Sequence, residues 1–135
     1  MSLNATLVFA PDAPLPALHG SPTSFDEVTT TAVARFGSHA VFVGDEAREL
    51  DLPGGSVIVT IGGTADVFVV EVPSEGRLRV YSEGEVVEDE GTALAEEAVF
   101  DEIVDPEDAH IELVCRLAGI APSQLWDAEW FALER

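Results

Sequence analysis

Carboxylates are the residues of this chain best placed to do chemistry, and they are unevenly spread. Residues 80 to 115 hold 13 of the 26 Asp and Glu and no Arg. The densest part runs through Glu83, Glu85, Glu88, Asp89 and Glu90, then Glu96, Glu97, Asp101 and Glu102. Gathered on one surface, such carboxylates would steer and dock a basic protein, or stand where the phosphates of a nucleic acid would lie. The plainer use of such a run is a solvated face. Metal binding is a poor fit. Calcium needs about six to eight converging oxygens, and the loop spacing with a central Gly is absent. Glu88, Asp89 and Glu90 would point alternately away from each other on a strand. No metal and no cofactor is expected.

A second set is Arg77, Arg79 and Tyr81, which alternate in RLRVYS with Leu78 and Val80 on the other face. Two arginines on one sheet face could hold a carboxylate or phosphate by paired hydrogen bonds, with Thr60 or Glu71 nearby. That reading makes the chain a small anionic-ligand-binding domain or a minor enzyme. The competing expectation is cross-strand pairing of Arg79 with an acid such as Glu71. Other chemistry finds no support. His19, His39 and His110 form no HxH or HExxH pattern, and the Glu107/His110 pair would need a matching pair on a second helix, so His110 is expected to be an exposed helix residue. No Ser sits in a GxSxG turn; Ser21 and Ser24 suit turns and caps. The glycine pairs 54–55 and 62–63 precede no helix in GxGxxG form. Cys115, the single cysteine, falls in an apolar helical pattern and is expected to be buried. No catalytic residue is assigned, and the chain reads as a non-enzyme.

Composition narrows the partners. Six Arg and no Lys stand against 26 acids, a net charge of −20. No broad basic face can form to neutralise phosphates, so nucleic acid and anionic membranes are excluded as partners. Without Lys there is no Schiff-base or P-loop lysine. A basic protein is the natural complement. General solvation, as in salt-adapted proteins, would give a similar composition. The 135 residues, 47% of them apolar, suit a single domain, 1–135, rather than a disordered chain. No apolar run is long enough to span a bilayer and no basic leader precedes residue 10, so a cytoplasmic location is expected.

The elements that must position these residues follow from pattern. Strands are expected at 5–10, 40–44, 56–61, 66–72, 77–82 and 85–88, separated by Gly and Pro turns. Residues 11–22, with four prolines, read as an irregular loop. Ser24 and Glu27 have capping-box spacing, and Phe25, Val28, Ala32, Val33 and Phe36 recur as on one helical face up to Gly37. Residues 93–102 suit a short helix or irregular turn. Asp105, Pro106 and Gly119 mark the start and end of a helix carrying Ile111, Val114 and Leu117. Ser123 can cap a last segment containing Trp126 and Trp130, which reads as helix throughout or as finishing in a strand from Trp130 to Leu133, helix being the favoured reading. The sum is an α+β fold: a mainly antiparallel sheet of five to six strands packed against helices on one face.

The C-terminal half carries Gly91, Leu94, Glu96 and Glu97 before a short acidic linker, then a helix ending in Arg116, Leu117, Gly119 and Ile120. Over about 40 of the 135 residues this resembles small uncharacterised α+β proteins of high-GC Gram-positive bacteria, some read as immunity- or antitoxin-like modules. The resemblance implies protein binding and carries no catalytic residue. The expectation is therefore an acidic interaction module. Glu83, Glu85, Glu88, Asp89, Glu90, Glu96 and Glu97 would face a basic partner, with Trp126 or Trp130 as aromatic anchor. A homodimer through open strand edges is compatible with it.

Overall fold

Two Val- and Ile-rich segments lie side by side in the middle of the sheet. Asn4–Ala10 (β1) runs antiparallel to Val57–Gly62 (β4), with Leu7 opposite Val59 and Val8 opposite Ile58. Both are apolar on both faces, the pattern of strands covered on two sides. The computed structural model describes residues 3–12, 21–28, 30–50 and 52–133. The other strands are Ala32–Phe36 (β2), His39–Val43 (β3), Val67–Val72 (β5), Arg77–Ser82 (β6), Glu85–Glu90 (β7) and Phe131–Ala132 (β8). All pair antiparallel in one sheet, ordered β7-β6-β5-β4-β1-β3-β2-β8. The expected loop over residues 11–22, with His19, lies mostly outside the described residues.

The architecture is α+β, but with eight strands among the described residues instead of five or six. The additional two, β2 and β8, come from segments whose apolar spacing suits a helix. Of the helix expected from Ser24 to Gly37, only Phe25–Glu27 turns among the described residues, as a single 3-10 turn, and the Ser24 side chain makes no cap bond there. The chain then straightens into β2 and returns as β3, with Phe36 opposite His39 and Gly37 taking a φ of 65° between them. Thr30, Thr31 and Val33 are stiff at χ1 and favour the extended form. As a strand, Ala32 and Ala34 enter one core while Val33 enters the other. At the C-terminus, Phe131 pairs with Val33 and Ala132 with Ala32, so the stretch after Trp130 is strand rather than helix.

Three helices follow: Val99–Glu102 (α1), Pro106–Ala118 (α2) and Pro122–Asp127 (α3). In α2, the Asp105 carboxylate accepts from the Asp108 N–H at 3.0 Å, and Gly119 closes the helix at φ 74°. Helix α3 starts two residues earlier than the Ser123 cap predicts: Ala121 is the N-cap, and its N–H donates to the Gln124 side chain at 2.8 Å. Leu7, Phe9, Val57, Phe68 and Val70 of the sheet join Ile111, Val114, Leu125 and Trp130 in the main core. On the other face Val8, Val33, Phe42 and Ile58 form a second, smaller core with Ala47 of the 3-10 segment Asp45–Glu49.

Candidate functional site

The β6–β7 hairpin turns through Glu83 and Gly84, both at positive φ (50° and 94°), as a two-residue connection matched to strand twist requires. It leaves β7 as the outermost strand, with all six of its residues exposed. Val86 is 44% and Val87 52% exposed. A register shift sets Val80 opposite Glu88 and Tyr81 opposite Val86. The structure thus gathers Glu83, Glu85, Glu88, Asp89 and Glu90 along one open sheet edge. Among the described residues no Arg forms an ion pair with Glu83, Glu85, Glu88 or Glu90.

Behind that edge the acidic segment is tied to the sheet by Arg77. Arg77 is 3% exposed, and its guanidinium meets the Glu97 carboxylate along two N–H donors, with Nε to Oε2 at 3.0 Å. Nη1 donates to the Asp89 carboxylate and, at 3.0 Å, to the Glu90 carbonyl. Glu97 also accepts from the Leu94 N–H at 2.7 Å, which fixes the start of the 3-10 turn Ala95–Ala98. These bonds hold Arg77 well above its ordinary pKa, Glu97 contributing most, and the bond from Arg77 holds Asp89 below the usual carboxylate range. Gly91 makes the crossing possible: a Cβ there would stand 2.6 Å from the Gly76 carbonyl oxygen.

Arg77, Arg79 and Tyr81 do share one face, but it is the helix-covered one. Their strand partners are Val72, Val70 and Phe68, which face the helices, whereas Leu78 and Val80 lie opposite Glu71 and Val69. Arg79 therefore does not meet Glu71, which pairs instead with Arg48 at 3.0 Å. Arg79 stacks over Phe100 of α1, 3.9 Å from the ring centroid, and Tyr81 packs on Phe68. Burial lowers the pKa of Arg79, and its Nη1 has no hydrogen-bond partner among the described residues. His110 lies beside the same aromatics, stacked on Phe68 at 4.9 Å and tilted on Phe100 at 4.7 Å. Its Nδ1–H donates to the Pro106 carbonyl at 2.6 Å, and burial pushes its pKa down to about 4. It is a core residue of α2, where the sequence suggested an exposed one.

The remaining docking candidates separate. Glu96 is half-buried beside the buried Glu97. Trp130 is fully buried, its Nε1–H directed at the Leu125 carbonyl at 3.3 Å, and Trp126 packs edge-on to Phe25 at 4.7 Å. Both belong to the β8 side of the sheet. Trp130, next to β8, lies about seven strand spacings, roughly 34 Å, from β7. Cys115 is buried, with a thiol pKa pushed up to about 12 by burial. Among the described residues no group of three or more His, Cys, Asp or Glu could hold a metal ion, and no helix is long and apolar enough to cross a membrane. Comparison of the chain with family models, curated proteins and solved structures finds no match.

Proposed function

We propose that the protein is an acidic interaction module whose β7 edge receives a basic, extended segment of a protein partner, as an inhibitor, immunity-type protein or adaptor would. One observation carries this reading: an outermost strand with every residue exposed, three of its four carboxylates free of ion pairs among the described residues, and two valines open to solvent. An open edge offers unpaired backbone groups to an incoming strand, while alternating side chains supply specificity. Carboxylates on that edge raise the encounter rate with Lys- or Arg-rich segments and disfavour acidic ones. A second copy of the chain fits less well, since β7 against β7 would set carboxylate against carboxylate. The same charges keep an edge strand from aggregating, so a solvated edge is the outcome to be beaten.

The test uses a ten-residue peptide of alternating Lys and Thr, and a copy with Pro at every Thr position. Saturable binding of the first, with shifts confined to β7 backbone amides and loss of affinity in the Pro copy, supports strand addition. Equal binding of the two peptides, or shifts spread over all acidic surfaces, contradicts it.

A further inference from the structure

Away from β7, the chain leaves a cavity of about 520 Å³ at one end of the helix-covered face. It opens where β1 begins, β3 ends and the Phe25–Glu27 turn leads toward β2. Leu3, Ala5, Phe25, Val28 and Val43 give it an apolar wall, and all five belong to or pack against the main core. Asp26 and Glu46, both exposed, bring carboxylates to its rim, and Thr30 and Thr31 add hydroxyls. Among the described lining residues there is no Arg and no His.

The cavity is built into the fold. Gly44 takes a φ of 128°, donates its N–H to the Thr6 carbonyl at 3.0 Å, and lies so close to Thr31 that a Cβ would stand 2.7 Å from Oγ1. That contact sets the floor. Phe25 is held edge-on by Trp126 at 4.7 Å and Trp130 at 5.5 Å, which sets the wall. A volume of this size suits a small organic ligand. Its lining mixes apolar side chains (Leu3, Ala5, Val28) with polar ones and suits a compact ligand with both an apolar part and a polar head, and its acidic rim in a −20 chain selects positive charge over negative.

We propose that this cavity is a binding site for a small organic cation: an ammonium group at the Asp26 side of the rim, with a compact apolar body against Phe25 and Val28. The site is independent of the β7 edge and would stand if that edge binds nothing.

Trp126 touches the wall, so its fluorescence reports occupancy. The probes are 2-phenylethylammonium, its neutral counterpart 2-phenylethanol, and tetramethylammonium, which has the charge without the body. Saturable binding is expected for the first, at least about tenfold tighter than for the other two. Asp26→Asn, at an exposed position, should weaken it about three- to fivefold, whereas Glu88→Gln on β7 should not. Ala5→Phe, filling the cavity, should abolish it; the Asp26 and Glu88 pair keeps the test valid if that variant does not fold. The proposal is overturned if no probe saturates, if the alcohol matches the amine, or if the Asp26 and Glu88 variants weaken binding equally.

Discussion

Arg77 and Glu97, twenty residues apart in sequence, form a buried two-pronged ion pair between β6 and the turn that precedes α1. It is the hinge-pin of the acidic segment. Glu97 is turned inward to hold the arginine, Asp89 reaches it from β7, and Glu85, Glu88 and Glu90 of β7 stay exposed. Removing one member of a buried pair strands the other charge, which is far more costly than removing both. Glu97→Ala should therefore cost about 3 kcal/mol in urea unfolding, and Arg77→Met with Glu97→Leu should recover most of it. A loss below about 1 kcal/mol for the single variant would mean that water reaches the pair.

Arg79 should behave in the opposite way although it lies two residues from Arg77. Its charge is disfavoured by burial and one of its donors has no partner among the described residues. Replacing such a group by an apolar side chain of similar length is often neutral or stabilising. Thermal melts should show Arg79→Met unchanged or raised, and Arg77→Met clearly lowered. Equal lowering would contradict the assignment of the two environments.

His110 makes stability depend on pH in a defined window. Its folded pKa lies near 4, below the ordinary histidine value near 6.5, because burial penalises the charged ring. The unfolded chain then binds the proton more readily, so stability is complete above about pH 6.5 and falls as the pH drops toward about 4. The loss is about 3 kcal/mol at most. The many carboxylates titrate near the lower end, so the quantity to measure is the difference between the wild type and His110→Phe. That difference should be constant above about pH 7 and shift progressively in favour of the variant down to about pH 4.5. A flat difference would show that the ring titrates alike in both states.

Cys115, fully buried in α2 with its thiol pKa near 12, should resist alkylation at pH 8 until the molecule opens. Its labelling rate should rise with urea in step with global unfolding. Fast labelling in native buffer would place the thiol on a locally opening surface.

Much of this arrangement is legible in the sequence. The strands from residue 56 to 90 announce themselves through β-branched alternation between Gly and Pro turns, and α2 through Asp105, Pro106 and Gly119. The β2 segment was obscured because Phe25, Val28, Ala32, Val33 and Phe36 satisfy helical spacing. The contrary signal was the run Thr29-Thr30-Thr31, followed by Gly37 and Ser38 as a hairpin turn. The face carrying Arg77, Arg79 and Tyr81 could not be read, because it depends on the register across residues 73–76, and a shift of one residue exchanges the faces. Glu97 was hidden by its acidic neighbours. Its only mark is its place three residues after Leu94, where a Glu can reach back to the backbone.

The most direct test of the central claim is the association rate of the Lys–Thr peptide with the protein as ionic strength is raised. Wild type is compared with Glu85→Gln/Glu88→Gln/Glu90→Gln, and with a control of equal charge change elsewhere, Glu27→Gln/Glu49→Gln/Glu129→Gln. The β7 variant should associate about tenfold more slowly at low salt and lose most of its salt dependence, while the control stays close to wild type. Equal slowing of both variants would mean that the acids act only as a diffuse field, and that β7 is a solvated edge.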